Sequence, residues 1–212
     1  MFAVLPSTPE PEPAHLSYSS DYSPREVLLA DGSRITLDAA TTVEALITQT
    51  RRELRLLTGQ AVFDVTRDVH RPFRVIAGPM EIEVLGTVFN IDRSQPGAVS
   101  VTLLEGSLAV RVDKDRNGQR RTLAAGEQVS WNGLEGLSLA SAKNVDAVAA
   151  WADGRVVFRG ETLEQALARL NRYRPDPVKL PADMDGGTTV FGVFRAGDAD
   201  ALIRALEGSS LP

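Results

Sequence analysis

Few side chains in this chain of 212 residues are of the kind that do chemistry, and fewer lie at spacings that would let them cooperate. Asp113, Asp115, Asn117 and Gly118 spell DxDxNG, the opening of a calcium loop. The twelfth position of such a loop carries a bidentate glutamate; here it is Ala124, so Asn117–Gly118 reads instead as a hairpin turn. His15 and His70 are the only histidines, whereas a cupin-like metal enzyme wants two or three with a carboxylate. The chain has no cysteine, which excludes disulfides, thiol catalysis and zinc–thiolate sites. Asp64/Asp68 and Glu81/Glu83 have the spacing of acid–base pairs. Glu81 and Glu83, however, alternate with Met80, Ile82 and Val84, the pattern of a strand with one solvated face. The expectation is a protein that is not an enzyme and takes no metal and no cofactor.

The elements that would position these residues are mostly strands. A short glycine-centred phrase recurs five times: LADGSRITL, LLTGQAVFDV, VIAGPMEIEV, LLEGSLAVRV and LAAGEQVSW, around Gly32, Gly59, Gly78, Gly106 and Gly126. The second to fourth phrases share a register of apolar residues: Ala61, Phe63, Val65; Met80, Ile82, Val84; Leu108, Val110, Val112. The first and last are shifted by one residue, to Ile35 with Leu37 and Val129 with Trp131, which predicts caps or edges. An all-β N-terminal domain over residues 25–133 follows, either two sheets wound as a jelly-roll-like sandwich or a short β-helical stack. Thr42 to Arg55 is its least strand-like part and reads as a loop with an irregular strand.

Residues 1–24, with the run PSTPEPEP, read as a disordered leader. An Ala/Ser/Gly/Asn-rich stretch makes residues 134–152 a linker, flanked by Trp131 and Trp151, which could pack the two domains together. Residues 153–212 then give a small α+β unit in the order β-α-β-β-α. Its first strand is Arg155 to Phe158. Thr162 and Gln165 form a capping box for a helix carrying Leu163, Ala166, Leu167, Leu170 and Tyr173. Strands are predicted at Val178 to Leu180 and Thr189 to Phe194, and Asp198 caps the second helix. A net charge of −5 with no basic stripe argues against nucleic acid as a partner. No stretch approaches the roughly 20 apolar residues of a membrane-spanning helix.

In order and spacing these blocks resemble the periplasmic half of FecR-like anti-sigma factors. LLADGSRITLDAATTV is similar to the family's LxDGSxVxLxxxT signature, RPFRVIAG resembles its next block, and EVLGTVFNI matches its LGTxFxV core. FRGETLEQALARLNRY, Phe158 to Tyr173, is similar to the secretin/TonB short N-terminal (STN) type domain that follows in that family. The resemblance implies a soluble periplasmic fragment of a single-pass inner-membrane protein. Its cytoplasmic sigma-binding segment and membrane helix would lie outside this sequence, and the final strand of the STN-like domain would be missing. It implies binding to the signalling domain of an outer-membrane TonB-dependent siderophore transporter. The signal would then reach an ECF sigma factor through periplasmic and intramembrane proteases.

The resemblance also implies a point of self-cleavage, between Gly86 and Thr87, by attack of the threonine hydroxyl on the preceding carbonyl. Glycine tolerates a strained backbone and threonine carries a nucleophile, although no neighbour in sequence declares itself as the base. For partner contact the candidates are Val190, Phe191, Val193 and Phe194 with Leu202 and Leu206, by strand addition to a short exposed sheet. Phe191 and Phe194 cannot point the same way in a regular strand, so one is expected to be exposed. The alternative is a structural β-solenoid module of a surface or secretion assembly, with the STN-like unit as an assembly contact.

Overall fold

A computed structural model describes residues 15–112, 120–133, 136–141 and 145–209 of the chain. The DxDxNG run lies outside the described residues. The first part is built from thirteen strands. These are β1 (Leu16–Ser20), β2 (Arg25–Leu28), β3 (Arg34–Leu37), β4 (Thr41–Ile47), β5 (Arg52–Asp64), β6 (Phe73–Ala77) and β7 (Met80–Val84). After them come β8 (Val88–Arg93), β9 (Ala98–Glu105), β10 (Ser107–Val112), β11 (Arg120–Ala124), β12 (Glu127–Asn132) and β13 (Gly136–Ser141).

All thirteen belong to one curled sheet whose long central strand serves both layers. The first half of β5 pairs with β4 and β6 in the layer β1-β4-β5-β6-β7-β10-β11; its second half pairs with β3 and β8 in the layer β2-β3-β5-β8-β9-β12-β13. The crossing falls at Gly59, φ +89°, where a Cβ would lie 2.2 Å from Thr41 Oγ1 and 2.6 Å from Thr41 Cα. Only glycine allows both that backbone angle and that approach. The other phrase glycines occupy turns between strands and also have positive φ. Apart from β5 with β6, every described pairing in the curled sheet is antiparallel. A β-helical stack needs parallel neighbours, so the winding is the two-layer kind, and the solenoid alternative loses its basis.

The apolar alternation of the glycine phrases is the core. Ala61, Phe63, Val65, Met80, Ile82, Val84, Leu108, Val110 and Val112 are all buried, as are Ile35, Leu37 and Val129 from the shifted phrases. Phe63 and Phe89 stack across β5 and β8 with centroids 5.0 Å apart. The shifted phrases supply β3 and β12, each one strand in from an end of the same layer.

Several boundaries differ from expectation. Thr41–Ile47 and the residues from Arg52 are strands, with the expected irregularity reduced to a register shift between Thr42 and Val43 and the short connection after Ile47. Their alternation is hidden in the sequence because polar Thr41 and Arg52 take inward positions. Leu16–Ser20, expected in the leader, pairs with β4, and Tyr18 packs half-buried on the core. Gly136–Ser141, expected in the linker, is β13 and covers β12, with Leu137 packed against the core.

The second part begins with the short helix α1 (Val145–Ala149) and a single 3₁₀ turn at Ala150–Asp153. Strand β14 (Arg155–Thr162) leads into α2 (Leu163–Asn171), whose N-terminus is closed by the predicted capping box of Thr162 and Gln165. Strand β15 (Thr189–Arg195) pairs antiparallel with β14, and Asp198 Oδ1 accepts from the Ala201 N–H at the start of α3 (Ala199–Ser209). Val178 to Leu180, predicted as a strand, is irregular: prolines 175, 177 and 181 surround it, and the Asn171 side-chain amide holds Val178 at both its N–H and C=O (2.9 and 2.8 Å). The order is therefore β-α-β-α. Trp151, Val156, Phe158, Leu163, Leu167, Leu170, Val190 and Leu202 form its core. Trp151 thus belongs wholly to this second core, while Trp131 packs against the first.

The two cores touch. Ala39, on the turn after β3, is buried in the second cluster, and Gln60 Nε2 donates to Val148 O at 3.3 Å.

Candidate functional site

The predicted cleavage pair sits just before β8, whose register with β9 shifts between Val88 and Phe89. A Cβ on Gly86 would fall 2.8 Å from Arg67 Cα and 2.6 Å from Arg67 Cβ, so a bare glycine is required where the two segments cross. The Asp68 N–H donates to Leu85 O (2.8 Å) and the Val65 N–H to Thr87 O (3.1 Å), bracketing the pair from both sides. Thr87 is buried, and its Oγ1 donates to Ser107 O at 2.8 Å. That carbonyl fixes the direction of the hydroxyl but cannot take its proton. No titratable side chain is within hydrogen-bond reach of Thr87 Oγ1 among the described residues.

The segment that brackets Gly86–Thr87 is itself held by Arg52, whose side chain is fully buried. Its guanidinium donates to the carbonyls of Arg71 (2.7 Å), Thr66 (2.8 Å) and Asp68 (3.3 Å), pairs with buried Asp31 at 3.2 Å, and lies 5.4 Å from the Phe73 ring centroid. Five interactions satisfy a charge that would otherwise be prohibitive inside a core. Asp68 closes the loop from outside: hydrogen bonds from the Arg71 side chain, then from the His70 N–H, hold its carboxyl below the usual range. His70 is an exposed loop residue. Asp64 is exposed, and Glu81 and Glu83 pair with Arg74, Arg111 and Arg120 on the outer sheet face. Among the described residues no group of His, Asp and Glu could hold a metal ion.

The six partner candidates divide. Val190 and Leu202 are buried, and Phe194 and Leu206 pack on the second core, Phe194 with its centroid 5.8 Å from that of Phe158. Phe191 and Val193 point the other way, 71% and 59% exposed, the former the most exposed large apolar residue described. Phe191 is thus the outward member of the Phe191/Phe194 pair. On that same face lie Val157, opposite Val193, and three arginines: Arg155 opposite Arg195, and Arg159 opposite Phe191.

Sequence reasoning missed the joint between the parts. The Asp38 carboxylate, 1% exposed, accepts from Tyr173 Oη at 2.7 Å and pairs with Arg172 at 3.2 Å. Arg172 also donates to Ala39 O at 2.8 Å, and Ser20 Oγ donates to Asp38 O. Burial pushes the Asp38 carboxyl above its ordinary 3.8, outweighing the opposing pull of Arg172 and the Tyr173 hydrogen bond. Burial, then the Asp38 charge, pushes the Tyr173 phenol up. The only sequence signal was the aspartate following Leu37 and a tyrosine at the helix end, two features 135 residues apart.

Residues 18–109 match the model of the FecR protein family, a segment that runs from β1 into β10. No curated protein sequence matches the chain. Two crystal structures of a "putative anti-sigma factor" from Parabacteroides distasonis ATCC 8503 superpose with TM-scores of 0.78 and 0.77 at 22% identity, covering 93% and 92% of this chain and 92% of each of theirs. Coverage that high means the shared fold includes the curled sheet and the β-α-β-α unit together.

Proposed function

We propose that the chain is the sensory region of a FecR-like, membrane-anchored anti-sigma factor working in the periplasm. Its β-α-β-α unit, read as STN-like, receives the signalling domain of a TonB-dependent siderophore transporter. Proteolysis of the anchor then relays the signal to an ECF sigma factor. The observation that carries this reading is the joining of a FecR-matching sheet to a compact α+β unit, an arrangement shared over most of its length with a solved protein so designated. The mode of reception follows from the exposed β14–β15 pair, which offers main-chain edges and an apolar outer face.

Self-cleavage at Gly86–Thr87 belongs to the same reading. Thr87 Oγ1 would bond to the Gly86 carbonyl carbon as the C–N bond breaks, the hydroxyl proton passing to the freed Thr87 amine. Water would then hydrolyse the ester to a Gly86 carboxylate. The buried, oriented hydroxyl and the tightly bracketed glycine support this; with no titratable side chain in reach among the described residues the reaction is slow, and it is a single turnover because the chain consumes its own bond.

The test of the receiver role is calorimetric titration of the chain against purified signalling domains of TonB-dependent transporters. Saturable one-to-one binding to at least one is expected. Silence across the panel would refute the role.

A further inference from the structure

The outer face of the β14–β15 pair combines exposed apolar and cationic side chains. Its centre is apolar, made by Val157, Phe191 and Val193, and its two ends are cationic. Arg155 stands directly across from Arg195, placing like charges on Cβ atoms about 5 Å apart, an arrangement that destabilises a sheet. Among the described residues Arg155 is offset only by the exposed Asp153, at 3.3 Å. Arg159 and Arg195 make no side-chain ion pair among the described residues, while the nearby Glu161 is engaged by Arg169 at 3.8 Å and by the Arg159 N–H. A chain with an overall charge of −5 therefore keeps three guanidiniums together on one small face, and among the described residues only that of Arg155 has a carboxylate partner.

The aromatic centre is also pre-set. The register shifts between Arg159 and Glu161, and Gly160 in that bulge has φ +112°. Two Phe191 ring atoms lie 3.4 and 3.6 Å from where a Cβ on Gly160 would stand, so the ring rests on the glycine while its other face meets solvent. Packing over a cross-strand glycine restricts the ring in part, which lowers the entropy lost when a partner covers it.

We infer that this face docks an extended acidic segment of a partner protein, with apolar side chains over Val157, Phe191 and Val193 and carboxylates on Arg155/Arg195 at one end and Arg159 at the other. The inference rests on the receiver reading above and specifies the chemistry of what is received. Charge complementarity selects the occupant. The spacing selects its shape, since alternate residues of one strand would meet the apolar centre while its ends reach the two cationic ends.

The experiment uses the full chain and a blocked heptapeptide, Glu-Ser-Val-Ser-Val-Ser-Glu, whose valines and terminal glutamates share one face of an extended strand, with its glutamate-to-lysine counterpart and phosphatidylglycerol vesicles as comparison probes. Salt-sensitive peptide binding is expected, with amide-resonance shifts confined to residues 155–161 and 189–195. The double variant Arg159→Glu/Arg195→Glu should weaken it roughly tenfold or more, the neutral pair Arg159→Gln/Arg195→Gln by an intermediate factor, and the lysine peptide should not bind. Both variants alter exposed side chains, and circular dichroism verifies their fold. Unchanged affinity in the double variant, shifts elsewhere, or binding to vesicles but not to peptide would overturn the inference. A transporter signalling domain that binds wild type and double variant equally overturns the docking face and leaves the receiver reading standing. Peptide binding at this face with no signalling domain binding does the reverse.

Discussion

Replacing Tyr173 by phenylalanine removes one oxygen from the joint between the two cores and leaves the ring in place, so no cavity forms. What is lost is the 2.7 Å hydrogen bond to Asp38, whose carboxylate has almost no access to water. A hydrogen bond to an ionised acceptor contributes about 1.5–3 kcal/mol, and one to a neutral acceptor about 0.5–1.5 kcal/mol. The variant should therefore be destabilised by about 2 kcal/mol at neutral pH, and by roughly half that in acid where Asp38 is protonated. The sign follows from linkage. Asp38 has a folded pKa above its ordinary 3.8, so the stability it contributes is present in full below that value and is lost as pH rises through the folded one. Tyr173 opposes that rise; without it the folded pKa climbs further and stability falls more steeply with pH. Urea unfolding followed by fluorescence, in a Trp131→Phe background, leaves the fully buried Trp151 as reporter of the second core. A loss below about 0.5 kcal/mol at neutral pH, or a penalty that grows toward acid, would refute the argument.

Three other outcomes are expected. Gly59→Ala should destabilise by about 2–5 kcal/mol, combining the left-handed backbone with displacement of Thr41. Gly97→Ala, at φ +75° with nothing within 4 Å, should lose only about 1–2 kcal/mol, so equal losses in chemical denaturation would discount the crossing contact. Prolonged incubation of the chain should yield Met1–Gly86 and Thr87–Pro212 by intact mass under denaturing conditions, and Thr87→Ala should yield neither; identical fragments from both would end the self-cleavage reading.

Strand content and core were legible because apolar residues alternated with a strict period of two, as at Met80, Ile82 and Val84, and because glycines punctuated the turns. Helix α2 was legible because its cap is a local hydrogen-bond motif written in adjacent residues. The pairing of strands was not, since β5 has to change partners midway and only the approach of Thr41 to Gly59 shows why. Arg52 defeated the pattern at its own position: a buried arginine looks like a surface residue until Asp31 and three carbonyls are placed around it. At the partner face the identity of the exposed residues depended on register, which set Phe191 outward and Phe194 inward.

The sharing of β5 between layers bears on what a break at Gly86–Thr87 would do. One fragment would own β1 to β7 and the other β8 to β15, yet β8 is laddered to β5 and β10 to β7. Scission there would produce no separate pieces, only a covalent link exchanged for two seams of hydrogen bonds around a common core. The two halves would part under tension applied at the chain's ends and not by diffusion, which turns a chemical nick into a mechanical fuse.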